Sequence, residues 1–280
     1  MKKRIIVNTV PHSGTHLVSS ILDIIGYGHA KYFDWRLLSF NKVKLNWRTS
    51  SLPENKNLDK TDRKFDVSVA TPQSVREDLV LEILNKVKNN HYLLSHSPYS
   101  KLFEELLINL DFLGLSIIRD PRDMCLSMLN HIEQRPHHFA YEVLIEKIEN
   151  RYNRLVQVIN GFEISVDGIK RPFGNIERMV NSITPWQDVD NFILLKFEDL
   201  VGPKGGSTEE LQFESIDKIL NHINANQFNI EDIAIKSFGK PGTFRKGKIN
   251  RWRIELDNKE KELFKKYDDY FVSLGYEPTT

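Results

Sequence analysis

The sequence predicts an α/β fold in which a parallel β-sheet carries helices on both faces. Four short apolar runs lie at residues 5–7, 91–95, 112–118 and 191–197. Segments whose apolar residues recur every three or four positions, as in amphipathic helices, separate these runs. Strands that alternate with helices have the crossover connections that parallel pairing requires. Ligands of such sheets bind beyond the carboxyl ends of the strands, so the residues that follow each run are the candidates for function.

Length and composition fit one soluble domain spanning residues 1–280. Charged residues make up 28% of the chain, hydrophobic residues 40%, and the net charge is +1. This balance gives no reason to expect nucleic acid or a membrane surface as the main partner. The single cysteine, Cys125, excludes an internal disulfide and suits a reducing compartment. The apolar run after Arg4 is too short for a signal-peptide core or a membrane span, so we expect a cytoplasmic protein. The sequence predicts no oligomeric state.

The first apolar run ends in a small-residue loop, Asn8–Leu17, which opens directly into a helix predicted over residues 16–25. Within the loop, Gly14 permits close approach of the backbone to a ligand, and Ser13 and Thr15 supply hydroxyl groups. The N–H groups at the start of a helix favour an anion, so we expect a phosphate there. The second glycine and the Lys-Ser/Thr pair of a Walker A loop are missing, which disfavours ATP or GTP.

A histidine follows the second apolar run. His96 stands at the predicted carboxyl tip of that strand, directly before Ser97 and Pro98. This position is a candidate for function, because ligands of open α/β sheets bind beyond the carboxyl ends of the strands. A surface or capping histidine before a proline turn is the alternative, and the residues alone leave both open.

An arginine follows the third run. Arg119 stands at that strand tip, Asp120 is predicted to cap the next helix, and Pro121 falls in its first turn. Ser127 lies eight positions after Arg119, or about two helical turns, where its hydroxyl can face the same side. The alternatives are an ion pair between Arg119 and Asp123 and a serine that the helix merely tolerates.

Two stretches lack a regular period. Residues 29–64 scatter aromatic side chains through a polar background, which is typical of a binding loop or lid. Residues 239–253 are rich in glycine, lysine and arginine; such a loop suits a phosphate lid, with a solvated surface loop as the alternative. The other predicted elements are a short strand over 65–70, helices over 75–87, 140–159 and 258–274, and a loop over 161–174.

In combination these segments resemble the sulfotransferase superfamily that uses 3′-phosphoadenosine 5′-phosphosulfate (PAPS). The similarity covers nearly the whole chain in the right order, and the joint spacing of its short motifs is specific. The family's 5′-phosphosulfate loop is matched by Pro11, His12, Ser13, Gly14, Thr15 and His16. Its 3′-phosphate site is matched by Arg119 and Ser127 and by the basic loop residues Phe244, Arg245, Lys246 and Gly247. Its Tyr-Glu-Asp-Leu segment is matched by Phe197, Glu198, Asp199 and Leu200.

The resemblance implies a single domain with the P-loop-like sulfotransferase fold. It implies transfer of a sulfuryl group from PAPS to a hydroxyl or amine, with adenosine 3′,5′-bisphosphate (PAP) as the product and without a metal. The histidine of the matched Ser95–Pro98 motif, His96, is then the catalytic base. The acceptor is expected to be a small molecule or a glycan. The candidates for its pocket are Tyr32, Phe33, Trp35, Phe40, Trp47, His131, His137, His138 and Trp186, and the alternative for each of them is a packing or surface role.

Three departures from the family pattern matter. After the basic loop the family often continues Gly-Asp-Trp-Lys or Gly-Asp-Trp-Arg, whereas this chain has Asn250, Arg251, Trp252 and Arg253. His12 stands where the family has a lysine that contacts the oxygen bridging sulfate to the nucleotide, and an ordinary histidine is largely neutral at neutral pH. Leu17 stands where many members have a tryptophan against the adenine, which makes Phe238 the candidate for that contact. Two other classes therefore stay open: a PAP-binding protein that has lost catalysis, and a P-loop kinase for a small molecule.

Overall fold

The computed structural model describes residues 3–30, 63–166, 169–238 and 247–280. The strands are β1 (Arg4–Thr9), β2 (Gly28–His29), β3 (Lys64–Val67), β4 (Gln73–Arg76), β5 (His91–Ser95), β6 (Phe112–Ile118), β7 (Phe162–Val166), β8 (Ile169–Phe173) and β9 (Phe192–Lys196). The helices are α1 (Thr15–Ile24), α2 (Glu77–Lys86), α3 (Lys101–Asn109), α4 (Pro121–Glu133), α5 (Arg151–Asn160), α6 (Ile176–Asn181), α7 (Phe197–Leu200), α8 (Glu209–His222), α9 (Ile230–Ser237), α10 (Arg251–Glu255), α11 (Asn258–Lys265) and α12 (Asp268–Ser273).

Five strands form one sheet in the order β2-β5-β1-β6-β9. Its pairings are all parallel, and Asn8 of β1 lies opposite Ser95 of β5 and Ser116 of β6. Parallel strands end at the same edge, so the segments that follow β1, β5, β6 and β9 meet there. The predicted parallel sheet is confirmed, and it brings together the segments that the sequence marks as functional.

Helices cover both faces of this sheet, as the sequence predicts. Ile5 and Val7 of β1 belong to one hydrophobic cluster with Leu17 of α1 and Ile216 of α8. Ile6, which points to the opposite face because side chains alternate along a strand, belongs to a second cluster with Met124 of α4. In the part of the chain that the structure describes, no helix is long and apolar enough to cross a membrane.

The predicted helix over residues 140–159 is wrong. The chain forms a short π-helix, Glu142–Glu146, and then the separate helix α5. Asn150 starts α5, because its side chain accepts a hydrogen bond from the N–H of Asn153 at 2.8 Å. The apolar period continues across this cap, so the periodicity alone does not reveal the break.

The sequence also misses two antiparallel hairpins. β7 and β8 occupy the predicted loop over 161–174, where Phe162 stacks on Phe173 with ring centres 4.6 Å apart. β3 pairs with β4, so Val75 lies opposite Phe65 in a strand and not at the start of a helix. Cross-strand pairs stabilise short hairpins, and such pairs become visible only once the two strands are aligned.

The last predicted helix, over 258–274, is divided into α11 and α12 by a turn at Lys266 and Tyr267. Asp268, the first residue of α12, accepts a hydrogen bond from the N–H of Thr279 at 2.8 Å. This contact folds the last described residues back toward the start of α4.

Candidate active site at the carboxyl edge of the sheet

The loop between β1 and α1 presents backbone N–H groups as a candidate anion site. Gly14 caps α1 with a φ of 114°, which L residues rarely adopt. A Cβ atom on Gly14 would lie 2.6 Å from Cδ2 of Phe197, so the packing of Phe197 also requires glycine. Gly14, Thr15 and His16 place their N–H groups at the start of α1, where Leu17 donates to the Gly14 carbonyl at 2.9 Å.

Ser13 stabilises the loop from within. Its N–H donates to the Val10 carbonyl at 3.2 Å. Its hydroxyl lies 2.6 Å from the same carbonyl and 2.9 Å from that of Ile117 in β6. Both neighbours of the hydroxyl only accept hydrogen bonds, so Ser13 holds the loop to the sheet. Among the predicted backbone donors, those after Ser13 are the ones in position for an anion.

His96 is buried, with 6% of its surface exposed, which rules out a surface histidine. Its Nδ1 lies 2.7 Å from the carbonyl oxygen of Thr9 and 3.0 Å from the Thr9 hydroxyl. Because a carbonyl oxygen only accepts hydrogen bonds, Nδ1 carries a proton, and in the neutral ring the lone pair is then on Nε2. This is the tautomer that a general base acting through Nε2 requires.

β1 holds the segment that carries His96. Asn8 donates from Nδ2 to the Ser97 carbonyl at 2.9 Å, and the N–H of Ser97 donates to Asn8 Oδ1, also at 2.9 Å. The neighbouring Thr9 has its hydroxyl 2.7 Å from that of Thr15. Two consecutive residues at the end of β1 therefore fix both the histidine and the anion loop.

Arg119 lies at the end of β6 and is also 6% exposed. Its guanidinium covers Phe197, with Cζ 4.5 Å from the ring centre, and donates to the Lys248 carbonyl at 2.8 Å. Contacts to Asp123 Oδ2 and to the His12 carbonyl are longer, at 3.4 Å each, so the ion pair left open by the sequence is present but long. Arg119 Nε is buried without a hydrogen-bond partner among the described residues. A buried donor of this kind fits a side chain that completes its contacts with a bound anion.

The chain leaves the basic loop beside the start of α4. Gly247 is half-buried, Ile249 donates its N–H to the Gly205 carbonyl at 3.0 Å, and Trp252 donates its N–H to Asp123 Oδ1 at 2.8 Å. Burial raises the pKa of Asp123 above its usual value, against the attraction of nearby positive charge. These bonds fix the end of the basic loop next to Arg119.

Glu198 stabilises the region around Arg119. The sequence motif contains this residue but predicts no role for it. Its Oε1 accepts the N–H of Asp120 at 2.9 Å, and its Oε2 accepts the hydroxyl of Tyr276 at 3.2 Å. Burial raises the pKa of Glu198 to about 7, although the Asp120 N–H and Arg119 favour the ionised form. Glu198 thereby joins the end of β9, the cap of α4 and the C-terminal segment.

Three histidine rings form a row at the anion loop. The ring centres of His12 and His131 are 4.8 Å apart, and those of His131 and His138 are 5.5 Å apart. Burial, and then electrostatic interactions with His131, His96, His138 and Arg119, hold the pKa of His12 well below its usual value. Burial also lowers the pKa of His138 to about 4. With no anion beside it, His12 is therefore neutral at neutral pH.

The other predicted residues are scattered. Ser127 is half-buried in α4, and Phe238 follows α9 with its ring centre 6.0 Å from Lys204 Nζ. Trp186 is buried in the core against Phe192, and His137 is exposed, so neither is placed as a pocket residue.

No group of acidic, histidine or cysteine side chains within the described ranges is arranged to hold a metal ion. The predicted residues that lie outside those ranges are Tyr32, Phe33, Trp35, Phe40, Trp47, Phe244, Arg245 and Lys246.

Comparisons with known proteins agree with this architecture. The crystal structure of mouse sulfotransferase SULT7A1 complexed with PAP is similar, with a TM-score of 0.56 and 14% identity over 98% of this chain and 84% of that chain. Retinol dehydratase in complex with androsterone and inactive cofactor PAP gives a TM-score of 0.46 and 15% identity over 99% and 82% of the two chains. A comparison with curated protein sequences finds no match. The sulfotransferase domain family matches residues 2–272, and the chain therefore belongs to the sulfotransferase family.

Proposed function

We propose that the protein transfers the sulfuryl group of PAPS to a hydroxyl or amine of a small-molecule or glycan acceptor. The observation that carries this proposal is the double role of Thr9. Its hydroxyl contacts Thr15 of the anion loop at 2.7 Å, while its carbonyl accepts the Nδ1 proton of His96 at 2.7 Å. A base and an anion loop held by one residue suit proton removal next to a bound phosphosulfate.

The site has groups that fit both ends of PAPS. The N–H groups of Gly14, Thr15 and His16 suit the 5′-phosphosulfate, and the missing Cβ of Gly14 lets the backbone approach it. Arg119, whose Nε is buried without a partner in the described part of the chain, suits the 3′-phosphate. By family resemblance we add to the phosphate contacts Pro11, Ser127, Arg245, Lys246 and Gly247, and to the contacts with the nucleoside Phe197, Phe238 and Phe244.

The chemistry requires opposite charge states of two histidines. PAPS supplies the sulfuryl group and the PAP leaving group. His96 accepts the acceptor's proton on Nε2, because its Nδ1 proton is held by the Thr9 carbonyl. His12, in the position of the family lysine, balances the negative charge of the leaving oxygen when it is protonated. A bound anion next to His12 favours that protonated form, and we expect a narrow bell-shaped dependence of rate on pH.

The low pKa of His12 also favours a second candidate. If bound phosphosulfate does not protonate His12, the leaving oxygen lacks its positive partner. The protein then binds PAPS and PAP without efficient transfer. The small-molecule kinase has no such support, because the loop lacks the lysine of a Walker A sequence.

The test is transfer of labelled sulfate from PAPS into a metabolite extract, with the product identified by mass, together with calorimetric titration by PAP. The proposal expects labelled product and PAP binding, and loss of both in Arg119→Gln. Tight PAP binding with no product from any acceptor would favour the binding protein. Magnesium-dependent ATP binding without PAP binding would reject both the sulfotransferase and the PAP-binding protein.

A further inference from the structure

His12 has a neighbour for which the family resemblance provides no role. His131, from the last turns of α4, meets the His12 ring edge to face, with 65° between the two planes. Beyond it, His138 contacts His131 at 84° and accepts the N–H of Ala140 on Nδ1 at 3.2 Å. An Nδ1 that accepts a hydrogen bond places the proton of His138 on Nε2, so that ring is neutral.

Among the described residues, the titratable and charged groups that face His12 lie at four positions in the fold. They are His131 of α4, His138 of the segment after it, His96 at the end of β5 and Arg119 at the end of β6. All four carry positive charge when they ionise, so each opposes a proton on His12. His131 ranks first among them, and its ring touches that of His12.

We propose that His131 is a positioning residue for His12. Its ring edge holds the imidazole of His12 at the anion loop, and a positive charge on either ring opposes a positive charge on the other in the absence of an anion. His12 thus becomes charged, with a proton taken from solvent, when a phosphate or phosphosulfate binds at the loop. The arrangement avoids an unpaired buried charge before binding, which is costly.

The catalytic meaning of this inference rests on the proposed function. In that reaction the acceptor atom bonds to sulfur, the bond between sulfur and the bridging oxygen breaks, and its electron pair leaves with PAP. The acceptor's proton goes to His96, and charged His12 balances the bridging oxygen. His131 touches neither atom and acts through His12.

The test compares three variants. His131→Phe keeps an aromatic edge and removes the titrating group, His131→Asn removes the ring, and His137→Asn changes an exposed histidine of the same region as a control. Proton–nitrogen NMR of histidine-labelled protein follows the titration of each imidazole, and His12→Asn identifies the signal of His12. In His131→Phe we expect the titration midpoint of His12 to rise by about one pH unit, with no change in His137→Asn.

Calorimetry with PAP in buffers of different ionisation enthalpy gives a second readout. At a pH near the titration midpoint of His12 in the free wild type, the wild type takes up protons on binding PAP and His12→Asn takes up none. His131→Phe takes up fewer than the wild type, because its His12 is already mostly charged at that pH. Unchanged titration of His12 in both His131 variants would overturn the inference, even in an active enzyme. A shifted titration in a protein that transfers no sulfate would instead reject the proposed function and leave the His12–His131 coupling intact.

Discussion

His12 and His96 show what individual residues contribute to this site. Two short sequence motifs identify these histidines, one in the loop after β1 and one at the end of β5. Their protonation states depend on neighbours that neither motif contains. The Thr9 carbonyl fixes the tautomer of His96. Burial, together with electrostatic interactions with His131, His96, His138 and Arg119, keeps His12 neutral. A sequence shows that a histidine replaces a lysine, whereas the cost of charging that histidine depends on the folded surroundings.

Replacing His12 by the lysine of the family pattern is expected to increase activity. A lysine keeps its charge well above neutral pH, so His12→Lys supplies the positive partner of the leaving oxygen without proton uptake. We expect kcat at saturating PAPS to rise roughly tenfold at mildly alkaline pH. In the dependence of kcat on pH, the alkaline fall in rate should move to higher pH. His12→Gln is the neutral control and should lose activity. Unchanged or lower kcat in His12→Lys would reject a direct role at the leaving group.

Replacing His96 by asparagine separates the base from its hydrogen bond. The Asn side chain places an amide N–H where Nδ1 donates to Thr9, but it has no counterpart of Nε2. We expect His96→Asn to lower kcat by at least ~100-fold, with PAP affinity nearly unchanged in calorimetry. Thr9→Val, which keeps the accepting carbonyl, should lose much less. Comparable activity in His96→Asn and the wild type would mean that another residue is the base.

Among the elements, the loop from β1 to α1 depends on the backbone more than on side chains. Gly14 combines a left-handed φ with a Cβ position already filled by Phe197. Gly206 has a similar φ of 97°, but a Cβ there would meet its nearest atom, in Ile249, at 3.4 Å, which is ordinary contact. The two glycines therefore separate backbone strain from steric overlap.

Alanine at each glycine tests that separation. Gly206→Ala should lower the free energy of unfolding by about 1–2 kcal/mol, the cost of a left-handed L residue, and leave PAP affinity unchanged. Gly14→Ala should cost more and weaken PAP binding, because Phe197 or the loop must shift. Urea denaturation and calorimetry measure both quantities. Equal stability and equal PAP affinity in the two variants would show that Phe197 does not constrain the loop.

The start of α4 depends on a buried ion pair. Arg122 is 1% exposed, donates to both oxygens of Asp120 at 2.8–2.9 Å, and reaches the Thr279 hydroxyl at 3.1 Å. Arg122→Gln leaves the Asp120 carboxylate buried without its cation, and we expect a loss of ~3–5 kcal/mol in the free energy of unfolding. Arg253→Gln, at a partly exposed pair with Glu277, should cost less than ~1 kcal/mol. A small loss in Arg122→Gln would show that Asp120 is satisfied by its other donors.

The regular part of the fold could be predicted because each strand and helix leaves a local period. The hairpins and the break before α5 could not, because the ring pair Phe162–Phe173 and the Asn150 cap interrupt no period. The residues of the site likewise fall into those that the local sequence predicts and those that it does not. Short loops identify His12, His96 and Arg119, whereas nothing local to the sequence links His131 to His12.

For the whole molecule, the site is an assembly of distant segments. Arg119 donates to a carbonyl 129 positions away, and Glu198 accepts an N–H from 78 positions away. The hydroxyl of Tyr276 then ties the C-terminal segment to Glu198. Contacts at such separations arise from topology, so only the folded chain reveals them. They also couple global stability to the ionisation of Glu198.

That coupling predicts how stability depends on pH. The pKa of Glu198 is raised to about 7 in the fold, against about 4.3 in an unfolded chain. Between these values the folded state holds a proton that the unfolded state has lost, so this group lowers the free energy of unfolding as pH rises toward 7 and adds no further change above it. His12 and His138, whose pKa values are lowered in the fold, have the opposite effect. They reduce the free energy of unfolding as the pH falls below the pKa of a histidine in the unfolded chain. Glu198→Gln keeps an acceptor for Asp120 and removes the titration, so its stability relative to wild type should increase by on the order of 2 kcal/mol from pH ~5 to pH ~8. Urea denaturation across that range measures the difference, and a difference that stays constant with pH would show that Glu198 ionises normally in the folded protein.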